Sequence, residues 1–239
     1  MSTQDDVVQG ELPEAELMAA IKAIFKAAGN DMDNVTCKEV LDELARTLHI
    51  DRVELKKRHK KQVDQRILRA YGELTPPDQL TPSLYLGTEW NATNLEELRE
   101  LNIRRVINCT REGDIGGVPS PFGDEGIAYM RIDELDTLDA SLIKYWDASH
   151  AFIKEAEAEG TAVLVHCQRG VSRSAATCIA HLMRDRGWSK SEAFEHVQKR
   201  RGKIKPNDAF LRELDEYQQQ LFDAGAVYGA HALGTKKAK

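Results

Sequence analysis

With 239 residues and a formal net charge of −6, the chain has room for one medium domain and a small one, and it is too acidic overall for a nucleic-acid coat. A hydrophobic content of 41% excludes a wholly disordered chain, and the longest apolar run, 161–165, is far too short to span a bilayer. The N-terminal MSTQDDVVQGELP has no apolar core, so no secretory signal is expected. The four cysteines (37, 109, 167, 178) form no CxxC pair and no metal-type Cys/His spacing, so reduced thiols without structural zinc are expected.

In chain order, residues 1–12 are acidic and polar and read as a loose tail. Pro13 opens a helical pattern with Leu17, Ile21, Ile24, Phe25 and Ala28 on one face, stopped by Gly29-Asn30. Thr36-Cys-Lys-Glu39 is a capping box, followed at helical spacing by Val40, Leu41, Leu44 and Leu48. Asp51 starts another helix, in which Leu55, His59, Val63, Ile67 and Tyr71 recur every four residues. Residues 13–75 thus form a small all-helical module, and ELTPPDQLT (73–81), with its Pro76-Pro77, is the expected linker. The helix over 51–72 carries eight Lys/Arg, at 52, 56, 57, 58, 60, 61, 66 and 69, against Asp51, Glu54 and Asp64. Residues 36–72 accordingly carry a net +4 between acidic neighbours, which reads either as a solvated face or as a docking surface for an acidic partner.

From residue 82 the pattern changes to strands at 83–87, 106–109, 127–132 and 161–166, with helices at 93–101, 142–157, 173–187, 190–201 and 207–222. That alternation predicts an α/β layer structure with parallel strands, and the continuous apolar run TAVLVH (161–166) suits its centre. Residues 113–126 read as a Gly/Pro-rich loop, and 223–239 as a tail with a basic end.

The chemistry concentrates in His166-Cys-Gln-Arg-Gly-Val-Ser-Arg-Ser174, between the most buried strand and a helix. A loop entering a helix N-terminus aims several backbone N–H groups at one point, where the helix dipole adds positive potential. Gly170 permits the tight turn, and Gln168, Arg169, Val171 and Ser172 supply the rest of the cradle. A cysteine at its base, beside Arg173, is favoured as thiolate. The guanidinium fork of Arg173 matches two phosphoryl oxygens. Attack of Cys167 on a phosphate ester would give a phosphocysteine, with no metal or cofactor needed. Ser174 is placed to donate a hydrogen bond to the departing thiolate, and His166 to orient the cysteine. The leaving oxygen needs a carboxylic acid, for which Asp133, Glu134, Asp136 and Asp139 are candidates that spacing does not separate. Cys109 ends a neighbouring strand and reads as a buried thiol. Cys37 and Cys178 read as helix-face core residues. Lys199, Arg200, Arg201, Lys203 and Lys205 form a second basic cluster that either holds acidic substrate or lies exposed.

The signature H-C-x-x-G-x-S-R-S resembles the phosphate-binding loop of the cysteine-dependent dual-specificity phosphatases, and the sequence lacks the WPD-loop signature of the larger tyrosine-specific enzymes. LYLGTEWNATNLEELRELNIRRVINCTRE (84–112), VHCQRGVSRSAATCIAHLMRDRGW (165–188) and KPNDAFLRELDEYQ (205–218) resemble the slingshot phosphatases. DMDNVTCKEVLDELARTL (31–48) and the basic helix after it resemble that family's DEK C-terminal-like module. The resemblance, over about 15–222, implies a mostly parallel five-stranded sheet flanked by helices, with the catalytic domain at 80–222. It implies action on the phosphoserine of cofilin and actin-depolymerising factor, a cytoplasmic, cytoskeleton-associated location, and F-actin as a partner of helix 51–72. Nucleic acid, which would suit the DEK-type module, is not the expected partner. It also implies Asp136 as the acid, because the family's acidic loop is followed by a tryptophan that aligns with Trp146. In some cysteine phosphatases a neighbour such as Cys109 protects the nucleophile as a disulfide. The sequence departs from the family at Gln168, Arg169, Thr137, Leu138 and the glycine-rich 113–126, all expected around the pocket, and the family's long C-terminal tail with its regulatory and actin-binding sites is not expected here. Two other readings use the same residues: a phosphoinositide or RNA-triphosphate phosphatase, and a non-enzymatic actin- or phosphoprotein-binding scaffold.

Overall fold

The computed structural model describes residues 11–29, 31–111 and 125–225. The chain divides into two compact units, Met1–Thr75 and Pro76–Lys239. The stretches expected as the tip of the N-terminal tail, most of the loop 113–126 and the end of the C-terminal tail lie outside the described residues.

The first unit is helical: α1 Glu14–Ala27, a 3-10 turn at Met32–Asn34, α2 Cys37–Leu48 and α3 Arg52–Leu74. Both halves of the Thr36/Glu39 capping box form at the start of α2, and the Asp51 carboxylate accepts from the Val53 and Glu54 amides at the start of α3. Leu17, Ile21, Val40, Leu41, Leu44, Leu55 and Val63 fill the core between the helices. Leu12, expected in the loose tail, is instead buried, and its backbone is held in both directions by the Gln62 side chain at 2.9 and 3.0 Å. The basic helix is also less free than its composition suggests. Arg52 pairs with Asp42, Arg58 with Glu54, Lys60 with Asp64 and Arg69 with Glu73, while Arg66 is buried between Glu14 and Glu73. Lys56, Lys57 and Lys61 remain as exposed cations.

The second unit begins earlier than the sequence pattern indicated. The expected linker 73–81 holds the end of α3 and then strand β1, Asp78–Thr81, before β2 Leu84–Thr88. The expected helix at 93–101 is two short ones, α4 Glu89–Thr93 and α5 Leu95–Glu100. They are separated because Thr88 and Asn91 box the first, while the Asn94 side chain caps the second by accepting from the Glu97 amide. β3 Ile103–Asn108, β4 Ala128–Arg131, α6 Ile143–Ala158, β5 Ala162–Cys167, α7 Arg173–Arg186, α8 Lys190–Arg200 and α9 Asp208–Asp223 follow within a residue or a few of their expected places.

The sheet order is β1-β2-β5-β3-β4, with β1 antiparallel and the rest parallel. This is the mostly parallel five-stranded sheet that the resemblance implied. All six residues of central β5 are buried, as a strand covered on both faces requires. Val163, Val165 and Cys167 face one side and pack with Trp146, Ile153, Ile179 and Phe210, whereas Ala162 and Leu164 face the other with Ala92, Leu98 and Val106. Parallel register pairs Cys167 with Thr88 on β2 and His166 with Asn108 on β3, so the strands deliver their C-terminal ends to one edge of the sheet.

Candidate active site

Cys167 is the last residue of β5 and is 2% exposed. The chain turns through 168–172 and enters α7 at Arg173. The turn requires Gly170 twice over: its φ is +64°, and a Cβ there would sit 2.4 Å from the Gly87 carbonyl oxygen and 2.6 Å from Arg201 Nη2. Burial pushes the Cys167 thiol up. That effect is outweighed by the Arg173 charge, then by the Ser174 hydroxyl, which donates to Sγ at 3.1 Å, and by the amides of Ser174 and Val171. The net shift is downward, toward thiolate.

Arg173, 5% exposed, is anchored through Nη1 to the Glu134 carbonyl at 2.9 Å, and its Nε lies 4.0 Å from Asp136 Oδ2. Asp136 is held from the other side: its Oδ1 accepts from Ser172 Oγ at 2.7 Å and from Asn207 Nδ2 at 2.9 Å. The Asn207 amide in turn donates to Ser172 Oγ at 3.1 Å. Asp136, Cys167, Gln168, Arg169, Val171, Ser172 and Arg173 line one cleft of about 400 Å³, rimmed by Leu138, Lys205 and Asn207. Residues 84–220, which contain all of these, match the family described as "Dual specificity phosphatase, catalytic domain".

The chain belongs to that family. Among curated proteins it is similar to protein phosphatase Slingshot of Drosophila melanogaster, with 38% identity over 221 residues, 90% of this chain and 20% of the relative. The Slingshot homolog of Xenopus laevis is 36% identical over 217 residues, 91% of this chain and 30% of the relative. The chain therefore spans less than a third of the length of these relatives. Among solved structures, human DUSP28 is 32% identical with a TM-score of 0.56, covering 62% of this chain and 96% of that one. Human tyrosine phosphatase-like serine/threonine/tyrosine-interacting protein is 30% identical with a TM-score of 0.59, covering 62% and 98%.

The four carboxylates that spacing left open are separated in this dual-specificity fold. Asp133, Glu134 and Asp139 line a neighbouring pocket with Arg111, Thr137 and Ala140, not the Cys167 cleft. Glu134 pairs with Lys144, and a hydrogen bond from Thr137 holds the Asp139 carboxyl below the usual range, which disfavours its acid form. His166 is fully buried, and burial pushes it down to about 4, which favours a neutral ring at physiological pH. Cys109 is a free, buried thiol pushed up to about 12 by burial and then by Cys167, with Thr177 Oγ1 at 3.7 Å. Cys178 is buried as expected, and Cys37 is half-buried on α2.

Of the expected basic cluster at 199–205, Lys199, Arg200 and Lys205 are exposed, whereas Arg201 is buried. Lys199 pairs with Glu195, and Arg200 donates to the His196 carbonyl one turn back. Arg201 is 2% exposed and clamps the phosphate loop from beneath. Its Nε donates to the Gly170 carbonyl at 2.6 Å and its Nη2 to the Arg169 carbonyl at 3.0 Å, while Nη1 pairs with Asp78 on β1. Sequence reasoning missed Arg201, Asp78 and Asn207 as parts of the site. Lys205 alone of the cluster reaches the cleft rim.

Arg201→Lys tests this clamp. A lysine keeps the charge but cannot hold three acceptors in a planar fork. The loop carbonyls should loosen, with kcat falling by about 10- to 100-fold for an ångström-scale shift of the cradle. Because buried acceptors lose their partner, stability should fall by about 1–3 kcal/mol in urea denaturation. Unchanged kcat would show that the loop holds its shape without Arg201.

Proposed function

We propose that this chain is a slingshot-type, cysteine-dependent dual-specificity phosphoprotein phosphatase. The observation that carries the reading is the cleft lined together by Cys167, Arg173 and Asp136, with Ser174 donating to Cys167 Sγ. Cys167 attacks phosphorus and the P–O bond to the substrate breaks, giving a phosphocysteine. Arg173 and the 168–173 amides hold the phosphoryl oxygens as charge builds. Asp136 protonates the leaving oxygen, and then as carboxylate takes a proton from the water that cleaves the P–S bond. Ser174 stabilises the thiolate released in that second step, and neutral His166 packs behind the loop.

The substrate we infer is a phosphoserine of cofilin or actin-depolymerising factor, supported by similarity to the Slingshot proteins over nine-tenths of the chain. We assign the first unit to the DEK C-terminal-like module and propose that Lys56, Lys57 and Lys61 form its actin-docking face, which would place the protein on the cytoskeleton in the cytoplasm. No described helix is long and apolar enough to cross a membrane. The rim differs from the family pattern at Leu138, which is 66% exposed and lines the cleft, so residues flanking the phosphoserine should matter.

The test is phosphate release from phosphocofilin, with a phosphoinositide and an RNA 5′-triphosphate in parallel. Vanadate-sensitive, chelator-insensitive release from phosphocofilin, stimulated by F-actin for the full chain, is the expected result. Faster turnover of the phosphoinositide would replace the protein substrate, and absence of turnover on any phosphoester would leave a binding scaffold.

A further inference from the structure

Away from the phosphate loop, two histidines and two carboxylates converge between α6 and α7. His181 and Asp185 lie one turn apart on α7, and His150 and Glu157 two turns apart on α6. One donor atom from each of Glu157, His181 and Asp185 falls within 4.8 Å of the others, and His150 Nδ1 is 3.1 Å from His181 Nδ1. His181 is 3% exposed and His150 half-buried. We propose that His150, Glu157, His181 and Asp185 form a binding site for a divalent transition-metal ion of the Zn²⁺ class.

The donor chemistry favours such an ion. Two imidazoles with two carboxylates suit a borderline cation, not Ca²⁺ or Mg²⁺, which take all-oxygen sets. In a tetrahedral zinc site, donors about 2.0–2.1 Å from the ion lie roughly 3.3 Å apart, close to the 3.1 Å already between the two histidines. Each carboxylate also has a partner outside the cluster. Ser83 donates to Glu157 Oε1 at 3.1 Å, and Arg186 pairs with Asp185 Oδ2 at 3.1 Å.

The centre of the cluster already attracts a cation. The half-exposed ammonium of Lys154 bridges Asp185, at 2.8 Å, and Glu157. A metal ion would displace that ammonium, which swings out to solvent on its flexible stem. Lys154 is therefore a built-in competitor, and this makes the proposal sharply testable. None of the four cysteines belongs to this cluster, so it carries no cysteine-type zinc motif.

The experiment titrates Zn²⁺ into the full chain carrying Cys167→Ser, so that the reactive thiolate is removed, against a chromogenic chelator. Co²⁺ serves as the spectroscopic probe. One equivalent should bind, giving visible Co²⁺ bands without thiolate charge transfer. His150→Gln and Asp185→Asn should each weaken binding by about tenfold or more, and Lys154→Ala should tighten it. Absence of binding, binding indifferent to all three substitutions, or a thiolate-type Co²⁺ spectrum would each overturn the site.

Discussion

Cys167→Ser is expected to abolish turnover, by on the order of 10⁴–10⁶-fold, while the phosphate ester still binds. The argument rests on what each atom of the loop contributes. In the proposed mechanism Gly170, the loop amides and Arg173 form the oxyanion cradle, and none of them depends on sulfur. A serine hydroxyl is smaller than a thiol and fits the same buried space. What it lacks is ionisation: the Arg173 charge, the Ser174 hydroxyl and the two loop amides lower the thiol of Cys167 against the cost of burial, but a hydroxyl starts too high to follow. The wild-type rate should rise with pH through that lowered thiol value, since only thiolate attacks. Phosphopeptide affinity, measured calorimetrically, should be unchanged in the serine variant. Full turnover would remove Cys167 from the chemistry, and lost binding would mean that sulfur holds the ligand.

How much of this was legible in the sequence depends on how local each cause is. β5 and the loop after it could be read because a continuous apolar run, a glycine and a helix start are consecutive in the chain, and consecutive residues are what periodicity and motif report. β1 could not, because only Leu80 of Asp78–Thr81 is buried, and a strand with one buried residue has no alternation to detect. The clamp was invisible for a related reason. Arg201 lies 31 residues beyond Gly170 and 123 beyond Asp78, and its neighbours in sequence are solvated cations that disguise it as one of them. The pairing within the basic helix was hidden for the same reason. Its charge count was right, but Asp42 and Glu14, which neutralise Arg52 and Arg66, come from other helices of the module. Asp136 stands between these cases: spacing left it among four carboxylates, resemblance picked it out, and the cleft supplies the geometric support.

That support gives the second large effect. Asp136→Asn should lower the rate on phosphoserine substrates by about 10²–10⁴-fold. The amide is chosen because its oxygen can still accept from Ser172 and Asn207, so the loop should keep its place and only the transferable proton is lost. In the wild type those two donors both reach Oδ1. The other oxygen, Oδ2, is the one toward Arg173, and it is the atom that would carry the proton to the substrate. The size of the defect must then depend on the leaving group. A serine alkoxide departs poorly without a proton and should show the full loss, whereas an aryl phosphate bearing electron-withdrawing groups leaves as a stable phenoxide and should show much less. Asp133→Asn and Asp139→Asn should stay near the wild-type rate on both substrates, because their side chains line the neighbouring pocket. A leaving-group-independent loss in Asp136→Asn would mean that the residue only positions Ser172 and Asn207. A near-wild-type rate on phosphoserine would remove it from proton transfer.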